Sequence, residues 1–482
     1  IDGSNFAGGQ VLEKRHFLSN NSTPAGHQYS DPSVAGGSEL WLDGIKIWPH
    51  YREIRSRIGA FCYPWWQGIQ SFGYSIALAD ETITNTIAVG APGDSNGSAG
   101  VYTFSMEDKN LSPIGYGGLQ ASGFSPGDSF GESVAVSYDG TVVAVGATQH
   151  SRNYCKSQSG YVVVRHLIDQ EVEIIKKRIG FAGPRFKRYK SIEKKWVNKG
   201  QVIGGGAYDR AGYRVKLSKD GNTLAVSRVH SHQGSCSRKN YHKGSVEVYS
   251  YNATTEEWDQ KGSTMWGNEK YEGFGIGLDM TPDGECIVVG SPYFRCPWGV
   301  RIGRAQVFKY NGGDWKKVGR SLTPSNYNMK ATPQEEESQF LHEHTHTTGI
   351  KAGATDDSQK TMYADGKWGK SVSISGDGRI VAIGAPNVKP GARAVSVFEW
   401  DRATANDYTN NAWSGHSSIN QITNKSGYEV ALNDAGNILA WSIPGSDAPW
   451  GSEWATGAGK IRVASWGGSS WINTAASLDY KA

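Results

Sequence analysis

Residues 365–386 read DGKWGKSVSISGDGRIVAIGAP, and this stretch holds the pattern that decides the fold. A Gly is followed by alternating apolar residues, an Asp-Gly pair and a second apolar run that ends in Gly-Ala-Pro. Asp-Gly supplies the positive φ angles of a tight turn between twisted strands. The second run is apolar at successive positions, as in a strand buried on both faces. The stretch therefore predicts a β-hairpin whose second strand lies between neighbouring sheets.

The same pattern recurs along the chain. Clear copies are DSFGESVAVSYDGTVVAVGA at 128–147 and DRAGYRVKLSKDGNTLAVS at 209–227, and weaker copies lie at 71–92, 273–292 and 426–444. A Gly-led third strand follows each copy after a polar loop. A fourth strand carries a Trp-x-x-x-Gly element, seen at Trp196–Gly200, Trp258–Gly262 and Trp315–Gly319. Four strands per unit, repeated in this way, are typical of the blades of a β-propeller.

The predicted fold is an all-β propeller of four-stranded antiparallel blades over residues 61–471. Seven blades are expected if N-terminal strands complete one, and six otherwise. Residues 1–60 are predicted as an N-terminal arm with two short strands inside GSELWLDGIKIWP at 37–49. Inserted loops are expected at 168–195 and 321–364, and residues 472–482 as a tail or closing strand. A content of 62 Gly, 17 Trp and 23 Tyr with 20% charged residues fits many short strands and tight turns.

The motif at 369–386 resembles the FG-GAP, integrin-alpha-like propeller repeats. With its Trp-x-x-x-Gly strand it also resembles divergent propeller proteins of marine phages, algae and bacteria. The resemblance covers about residues 60–471 and implies the propeller fold. It implies little about function, because propellers host unrelated activities. Integrin-type blades often carry an Asp-x-Asp-x-Asp-Gly calcium loop, which no copy here has. The nearest candidate offers Asp94, Ser95 and Asn96; an ordinary polar loop is favoured over a calcium site there, because hard cations need six or more oxygen ligands.

Composition and motifs speak against several classes of function. A formal net charge of +4 implies no general affinity for nucleic acid, and no apolar run is long enough for a membrane-spanning helix. No nucleophile elbow, phosphate loop, His-Glu-x-x-His or Cys-x-x-Cys motif occurs. The Ser137-Tyr138-Asp139 turn loosely resembles that of sialidase propellers, but the hairpin itself accounts for its Asp-Gly. We predict that the protein is not an enzyme and has no catalytic residues.

Two segments are candidate ligand sites. The basic stretch 176–195 is either a solvated loop or a site for phosphate, sulfate or acidic glycan; the candidate residues are Lys176, Lys177, Arg178, Arg185, Lys187, Arg188 and Lys190. His342, His344 and His346 stand at every second position, which in a strand places them on one face, where zinc, nickel or iron can bind. A solvated His-rich loop is the alternative. No other cofactor is expected.

Covalent modification depends on the compartment. The chain has five Cys, so at least one is unpaired or joins another chain in an oxidising environment. Disulfides Cys155–Cys236 and Cys286–Cys296 and buried free thiols are two hypotheses that stay open. In a eukaryotic secreted protein, Asn-x-Ser/Thr sites would accept glycans; these are Asn20, Asn21, Asn96, Asn110, Asn252 and Asn424.

These observations favour a non-enzymatic structural or adhesion protein on the outside of a virus particle or in an extracellular filament or fibre. Its expected partners are neighbouring copies or other subunits, and its expected location is extracellular or on the virion surface. A lectin-like propeller is the alternative, with exposed Trp298, Trp413, Trp450 or Trp454 stacking on sugars. A glycosidase is a third hypothesis, because catalytic residues scattered over several blades leave no local motif.

Overall fold

Every regular element that the structure describes is a β-strand. The computed structural model describes residues 40–42, 45–47, 74–79, 86–92, 100–105, 112–114, 128–149, 158–180, 183–231, 243–295, 300–324, 365–389, 392–400, 413–420, 426–444, 448–450, 453–455, 459–473 and 478–479. The two short strands predicted within 37–49 are confirmed as β1 (Leu40–Leu42) and β2 (Ile45–Ile47), an antiparallel pair.

The described residues form six antiparallel sheets, each led by one copy of the repeat, which we call blades 1 to 6 in chain order. Blade 1 contains β3 (Ser75–Leu78), β4 (Thr86–Ala91), β5 (Gly100–Ser105) and β6 (Ser112–Pro113). Blade 2 contains β7 (Phe130–Val136), β8 (Val142–Ala147), β9 (Tyr161–Gly180), β10 (Gly183–Asn198) and β11 (Ile203–Gly204). Blade 3 contains β12 (Ala211–Leu217), β13 (Thr223–Arg228), β14 (Ser245–Asn252), β15 (Glu257–Gln260) and β16 (Met265–Trp266).

Blade 4 contains β17 (Gly277–Met280), β18 (Cys286–Ser291), β19 (Arg304–Tyr310) and β20 (Trp315–Lys317). Blade 5 contains β21 (Ser371–Ile374), β22 (Ile380–Gly384), β23 (Arg393–Trp400) and β24 (Trp413–Asn420). Blade 6 contains β25 (Val430–Leu432), β26 (Ile438–Ile443), β29 (Lys460–Trp466), β30 (Trp471–Asn473) and β31 (Leu478–Asp479). A separate hairpin, β27 (Ala448–Trp450) with β28 (Glu453–Ala455), lies between β26 and β29 in the chain.

The blades stand side by side about a common axis. The first strand of each blade contacts the first strand of the next, in the series β3, β7, β12, β17, β21 and β25. The apolar core lies between consecutive blades: Val142 and Val162 of blade 2 pack in one cluster with Leu224 and Trp258 of blade 3. This arrangement of four-stranded antiparallel blades confirms the predicted β-propeller. The expectation of seven blades stays a prediction, because residues 48–73 lie outside the described part of the chain.

The Asp-Gly corners of the blades are built from a repeated hydrogen-bond unit. In blade 2 the Ser137 hydroxyl donates to Asp139, Thr141 N donates to Asp139 Oδ1 at 3.0 Å, and Val142 N donates to Ser137 Oγ at 2.9 Å. Burial raises the pKa of Asp139, but the hydrogen bonds from Ser137 and Thr141 outweigh it and hold the pKa below its ordinary value. The carboxylate of the corner Asp is therefore engaged in hydrogen bonds within its own turn.

The Gly of the Gly-Ala-Pro element is required by the close approach of the next blade. A Cβ on Gly146 of β8 would lie 2.0 Å from the carbonyl oxygen of Gly212, in the first strand of blade 3. Backbone therefore packs on backbone where consecutive blades meet, and any side chain at this position would force the blades apart.

The Trp-x-x-x-Gly element joins the outer strands of consecutive blades. Trp258 Nε1 of blade 3 donates to the carbonyl oxygen of Lys199 in blade 2 at 2.7 Å. Gly200 lies directly under that indole, since a Cβ there would be 2.5 Å from Trp258 Cδ1. Trp315 Nε1 makes the equivalent hydrogen bond to Lys261 O at 2.7 Å. The Trp of one blade therefore packs against the Gly of the blade before it.

Two predictions about the outer strands need correction or extension. The insertion at 168–195 is not a loop: β9 and β10 continue through it as an antiparallel ladder from Arg165↔Asn198 to Gly180↔Gly183. Its β-branched residues and its alternating charges suit a ribbon. The C-terminal segment, predicted as a tail or closing strand, contributes an outer strand of blade 6, β30, which begins at Trp471.

Candidate functional site

The central channel is lined by the first strand of every blade. After the Gly that opens each copy of the repeat, the second residue is Ser75, Ser133 or Ser371 in three blades. Each of these hydroxyls donates to a Gly carbonyl in the next blade, as Ser75 does to Gly131 at 2.8 Å. A Ser at this position therefore links neighbouring blades. A blade with another residue at this position departs from that pattern.

Arg214 and Glu429 are two such departures, and they bind each other across the channel. Arg214 Nη2 of blade 3 lies 2.9 Å from Glu429 Oε1 of blade 6. Arg214 Nε also donates to the carbonyl oxygen of Ile276 in blade 4 at 3.1 Å. Both side chains are largely withdrawn from solvent, at 3% and 13% exposure. The pair thus ties three blades together where a ligand of a propeller channel would otherwise lie.

Tyr side chains surround this ion pair. Burial raises the pKa of the Tyr428 phenol, and the nearby Glu429, Tyr213 and Tyr74 act in the same direction. The ammonium group of Lys370 lies over the Tyr428 ring, a cation–π contact that stabilises a partly desolvated cation. The channel therefore contains a mixed layer of phenols and charges contributed by blades 1, 3, 5 and 6.

A second network of polar side-chain contacts joins the first strands of several blades near their Asp-Gly turns. Lys216 Nζ of blade 3 lies 3.2 Å from Asp279 Oδ1 of blade 4. Asp279 Oδ2 accepts from Ser373 Oγ at 2.9 Å and from Ile374 N at 3.0 Å, both in blade 5. The same Ser373 Oγ accepts from Leu432 N of blade 6 at 3.0 Å. The carboxylate of Asp279 already has its hydrogen-bond partners within the fold, so it is placed to bind blades together.

The corner turns close over this end. Tyr138 N donates to Lys219 O at 2.9 Å, and Lys219 N donates to Pro282 O at 2.7 Å, which joins blades 2, 3 and 4. Lys219 Nζ lies 3.7 Å above the centre of the Tyr138 ring. A cavity among the turns is lined by Tyr138, Lys219, Pro282, Asp279 and Asp434. Its lining is contributed by blades 2, 3, 4 and 6.

A basic and acidic ribbon extends from this same end of the propeller. Leu167 N of β9 donates to the carbonyl oxygen of Thr141, beside the Asp139 corner, and β9 and β10 continue beyond it to Gly180 and Gly183. We call residues 168–195 the arm. Ile192 on the arm is 73% exposed and Tyr189 is 42% exposed. At these positions the arm is exposed and does not pack against the body of the propeller.

Buried ion pairs on the opposite end of the blades serve the fold. Arg304 Nη2 lies 2.9 Å from Glu272 Oε2, and both side chains are essentially buried. Burial raises the pKa of Glu272, and Arg304 opposes that shift. The Arg304 guanidinium also lies over the Phe294 ring at 4.1 Å. Such a pair contributes positional specificity at a large desolvation cost, and it exposes no group to a ligand.

The predicted ligand residues fall mostly outside the described part of the chain, and those predictions remain untested. This applies to His342, His344, His346, Cys155, Cys236, Cys296, Asp94, Ser95, Asn20, Asn21, Asn96, Asn110, Asn424 and Trp298. Among the described residues, no group of three or more His, Cys, Asp or Glu side chains could hold a metal ion. The described residues also include no helix of the length and hydropathy that crossing a membrane requires.

The described candidates occupy defined places. Cys286 is partly buried at the start of β18, next to Gly378 of the following blade. Asn252 is the last residue of β14, and its side chain donates to Asp259 and accepts from Thr254 N at 3.0 Å. The basic candidates of the arm lie in β9 and β10. Whether Cys286 forms a disulfide and whether Asn252 carries a glycan remain predictions.

Trp413 is a correction. It was expected as an exposed sugar platform, but its side chain is only 2% exposed. Its Nε1 donates to Val318 O at 2.9 Å, which makes it the outer-strand Trp of blade 5, equivalent to Trp258. The spacing of Trp413 after the third strand of its blade was the signal for this role. Trp450 and Trp454 belong to the β27–β28 hairpin, outside the blade sheets.

Sequence reasoning missed Arg214, Glu429, Lys216 and Asp279. Alignment of the six copies contains a signal for two of them, because Arg214 and Glu429 occupy a position that is Ser in three other blades. Their opposite charges at equivalent positions of blades 3 and 6 indicate a pair once the blades are known to be arranged around one axis. Lys216 and Asp279 give no comparable signal.

Comparisons with known proteins find only distant structural likenesses. No known family profile matches the chain, and no curated protein matches it. Solved structures align with it over most of its length. The β-propeller domain of Cps50 (Swd1) from Myceliophteria thermophila has 9% identity and a TM-score of 0.41, over 84% of this chain and 88% of that one. A hypothetical selenium-binding protein from Sulfolobus tokodaii has 9% identity and a TM-score of 0.43, over 84% and 77%.

A periplasmic gluconolactonase from Pseudomonas aeruginosa aligns at 14% identity and a TM-score of 0.32, over 83% of this chain and 96% of that one. At such TM-scores these likenesses say nothing about ligands, partners or activity. The class of the protein, a β-propeller, rests on the blade topology given above. The resemblance to FG-GAP repeats is accordingly supported as a propeller resemblance and no further.

Proposed function

We propose that this protein is a non-enzymatic propeller that acts through protein–protein contacts in an extracellular assembly, on the outside of a virus particle or in a filament. The observation that carries the proposal is the arm, a two-stranded ribbon that leaves blade 2 beyond its corner and holds exposed apolar side chains such as Ile192. An isolated ribbon of this kind is marginally stable alone in water. A partner that covers it supplies the missing contacts.

The channel supports the same proposal. Its charged groups described above, Arg214 with Glu429 and Lys216 with Asp279, bind one another and join blades. In a catalytic channel, carboxylates face a substrate. Here they lie in ion pairs that join blades 3, 4 and 6, and Asp279 also accepts hydrogen bonds from blade 5. The exposed parts of the molecule are the arm and the loops.

The proposal is tested on the full chain by sedimentation velocity over a wide concentration range, together with negative-stain micrographs of the purified and of the native material. Ordered oligomers, fibres or particle-bound copies are the expected result. A monodisperse monomer at the highest soluble concentration, found alone in the native material, would overturn it. Turnover of a sugar reporter that is lost on changing a channel carboxylate would replace it with a glycosidase.

A lectin is a second candidate, supported by the β27–β28 hairpin. This hairpin stands apart from the blade sheets and places Trp450 opposite Glu453 and Pro449 opposite Trp454. Aromatic and acidic residues are the types that suit sugars, which present an apolar face and hydroxyl groups. A glycan array compares the natural chain with a Trp450→Ala, Trp454→Ala variant. Glycan signals that vanish in the variant support the lectin, and an array without signals removes it.

A further inference from the structure

The arm has two backbone edges, along β9 and β10, and no other described strand covers either of them. Along β9, strand β8 pairs only with Tyr161–His166, while β10 pairs with β9 from Arg165 to Gly180. From Ile168 to Gly180, the edge of β9 that faces away from β10 therefore has no strand partner among the described residues. At roughly 3.3 Å per residue this edge is about 40 Å long. An exposed edge of that length is a template for pairing with another strand.

The sequence of this edge changes sign at its middle. Asp169, Glu171 and Glu173 precede Ile175, and Lys176, Lys177 and Arg178 follow it. A strand with acids in one half and bases in the other is complementary to itself when it runs antiparallel to a second copy. Pairing about a twofold axis at Ile175 places Glu173 of each copy opposite Lys177 of the other, and Ile175 opposite its own equivalent. Opposite charges in directly opposed positions stabilise a sheet, and like charges destabilise it.

The other edge of the arm has the reverse character. Strand β10 contains one acid within the arm, Glu193, against six cations: Arg185, Lys187, Arg188, Lys190, Lys194 and Lys195. Antiparallel self-pairing of β10 would bring cations together. Lys-rich edges are a common protection against unwanted strand pairing. The difference between the two edges selects β9 as the strand that pairs.

The described residues on the face of the ribbon that contains position 171 are exposed. Alternate residues of a ribbon share a face, and the register puts Ile192 opposite Glu171, so it lies on that face. Ile192 is 73% exposed, and the ion pair of Lys190 with Glu171 at 2.6 Å is also exposed, at 77% and 60%. No described part of the propeller covers this face, so a second arm can approach it.

We infer that two copies of this protein pair through their arms, strand β9 to strand β9, in an antiparallel four-stranded sheet centred on Ile175. This inference rests on the proposed function and names its partner, a second copy of the chain. A polyanion such as a sulfated glycan is the competing occupant, since the register also places Lys176 opposite Lys187 and Arg178 opposite Arg185. A polyanion leaves the acidic half of β9 without a role, whereas self-pairing uses both halves.

The test is a charge exchange in the full chain, read by sedimentation velocity. Glu173→Lys and Lys177→Glu each put like charges opposite each other at two symmetric places, and we expect each to weaken dimerisation at least tenfold. The double variant E173K/K177E restores opposite charges and the dimer. An equimolar mixture of the two single variants forms the mixed dimer, because each copy then supplies what the other lacks. Glu193→Lys on β10 is the matched control and leaves dimerisation unchanged. Unchanged thermal unfolding of all variants shows that the propeller remains folded.

Dimers in the single variants as strong as in the natural chain, or a double variant that stays monomeric, would overturn the pairing. A natural chain that is monomeric but is retained on a heparin column through its arm would assign the arm to a polyanion instead. Assembly that persists in every arm variant would refute this inference while leaving the proposed function intact. A protein without any assembly or partner would refute both.

Discussion

Arg214 and Glu429 are 215 residues apart in the chain, and their side chains meet at 2.9 Å across the propeller channel. Each replaces the Ser that other blades use to contact their neighbour. The pair adds a link between distant blades, while Arg214 keeps a contact with the adjacent blade 4 through Ile276 O. Such a link depends on the closed arrangement of the blades, and it makes the stability of the ring sensitive to either partner.

Removing one partner of this pair should cost more than removing both. Glu429→Gln leaves the Arg214 guanidinium buried without its carboxylate, and we expect a loss of about 3 kcal/mol in the free energy of unfolding. Arg214→Ser with Glu429→Ser restores the Ser of the other blades and should recover most of that loss. The control Glu399→Gln breaks the more exposed pair of Arg379 and Glu399 and should cost less than about 1 kcal/mol. Urea unfolding of the four proteins measures the difference; equal losses for the single and double variants would contradict it.

Gly200 should tolerate no side chain. Its φ of +77° and the 2.5 Å approach of a Cβ to Trp258 both oppose Ala. Gly312 has a φ of +90° and nothing within 4 Å of such a Cβ. Gly312→Ala therefore reports the cost of backbone strain alone, about 1 kcal/mol, and Gly200→Ala should cost at least twice as much. Thermal unfolding compares them, and equal shifts would show that the Trp contact adds nothing.

The corner aspartates should make the propeller sensitive to acid. Burial raises the pKa of Asp220, but hydrogen bonds from Ser218 and Asn222 together with the Lys199 charge lower it overall, as the corner hydrogen bonds do for Asp139. A pKa that is lower in the folded state than in the unfolded state stabilises the fold above about pH 4. That contribution is lost as the pH falls through the lowered folded-state pKa. An Asp139→Asn, Asp220→Asn variant should be less stable at pH 7 and should lose less stability than the natural chain below pH 4.

This acid response is measured as the midpoint of unfolding at several pH values between 7 and about 3. Glu257→Gln changes an exposed carboxyl of β15 and serves as the control, with a pH profile like that of the natural chain. A double variant whose profile remains parallel to the natural one would show that the corner carboxylates do not carry the effect.

Trp413→Phe should destabilise the fold and leave any glycan binding unchanged. The substitution removes the indole N–H that donates to Val318 O and leaves that carbonyl without its partner, at a cost of about 1–2 kcal/mol. Trp258→Phe is the matched variant in blade 3 and should behave alike, since Trp258 donates to Lys199 O. If Trp413→Phe lost glycan binding without losing stability, Trp413 would be a sugar-binding residue, as the lectin hypothesis expected.

The order of strands within a blade could be predicted because its signals are local. Asp139-Gly140 and its counterparts fix the first hairpin, the Gly-Ala-Pro element fixes the approach of the next blade, and Trp258 with Gly262 marks the fourth strand. Each signal spans a few residues and reports a turn, a close contact or a hydrogen bond. The position of the short strands near residue 40 followed from the same alternation.

The arm was harder to predict, because a run of Lys and Arg suggests a solvated loop as readily as a strand. Its strand character depends on the long ladder with β10, and the pairing of Arg178 with Arg185 contradicts the usual preference of a sheet for opposite charges. Trp413 was misassigned for a related reason: exposure depends on what the neighbouring blade places over a residue, and blade 4 covers it.

The sequence by itself determined the repeated blade, because turns, alternation and close glycine contacts are properties of neighbouring residues. Only the tertiary structure decided which charges meet. Arg214 meets Glu429 at 2.9 Å and Lys216 meets Asp279 at 3.2 Å because the blades are arranged around one axis, so that side chains of their first strands can reach one another. Electrostatic attraction depends on distance in space, and separation along the chain carries no information about that distance until the ring has formed.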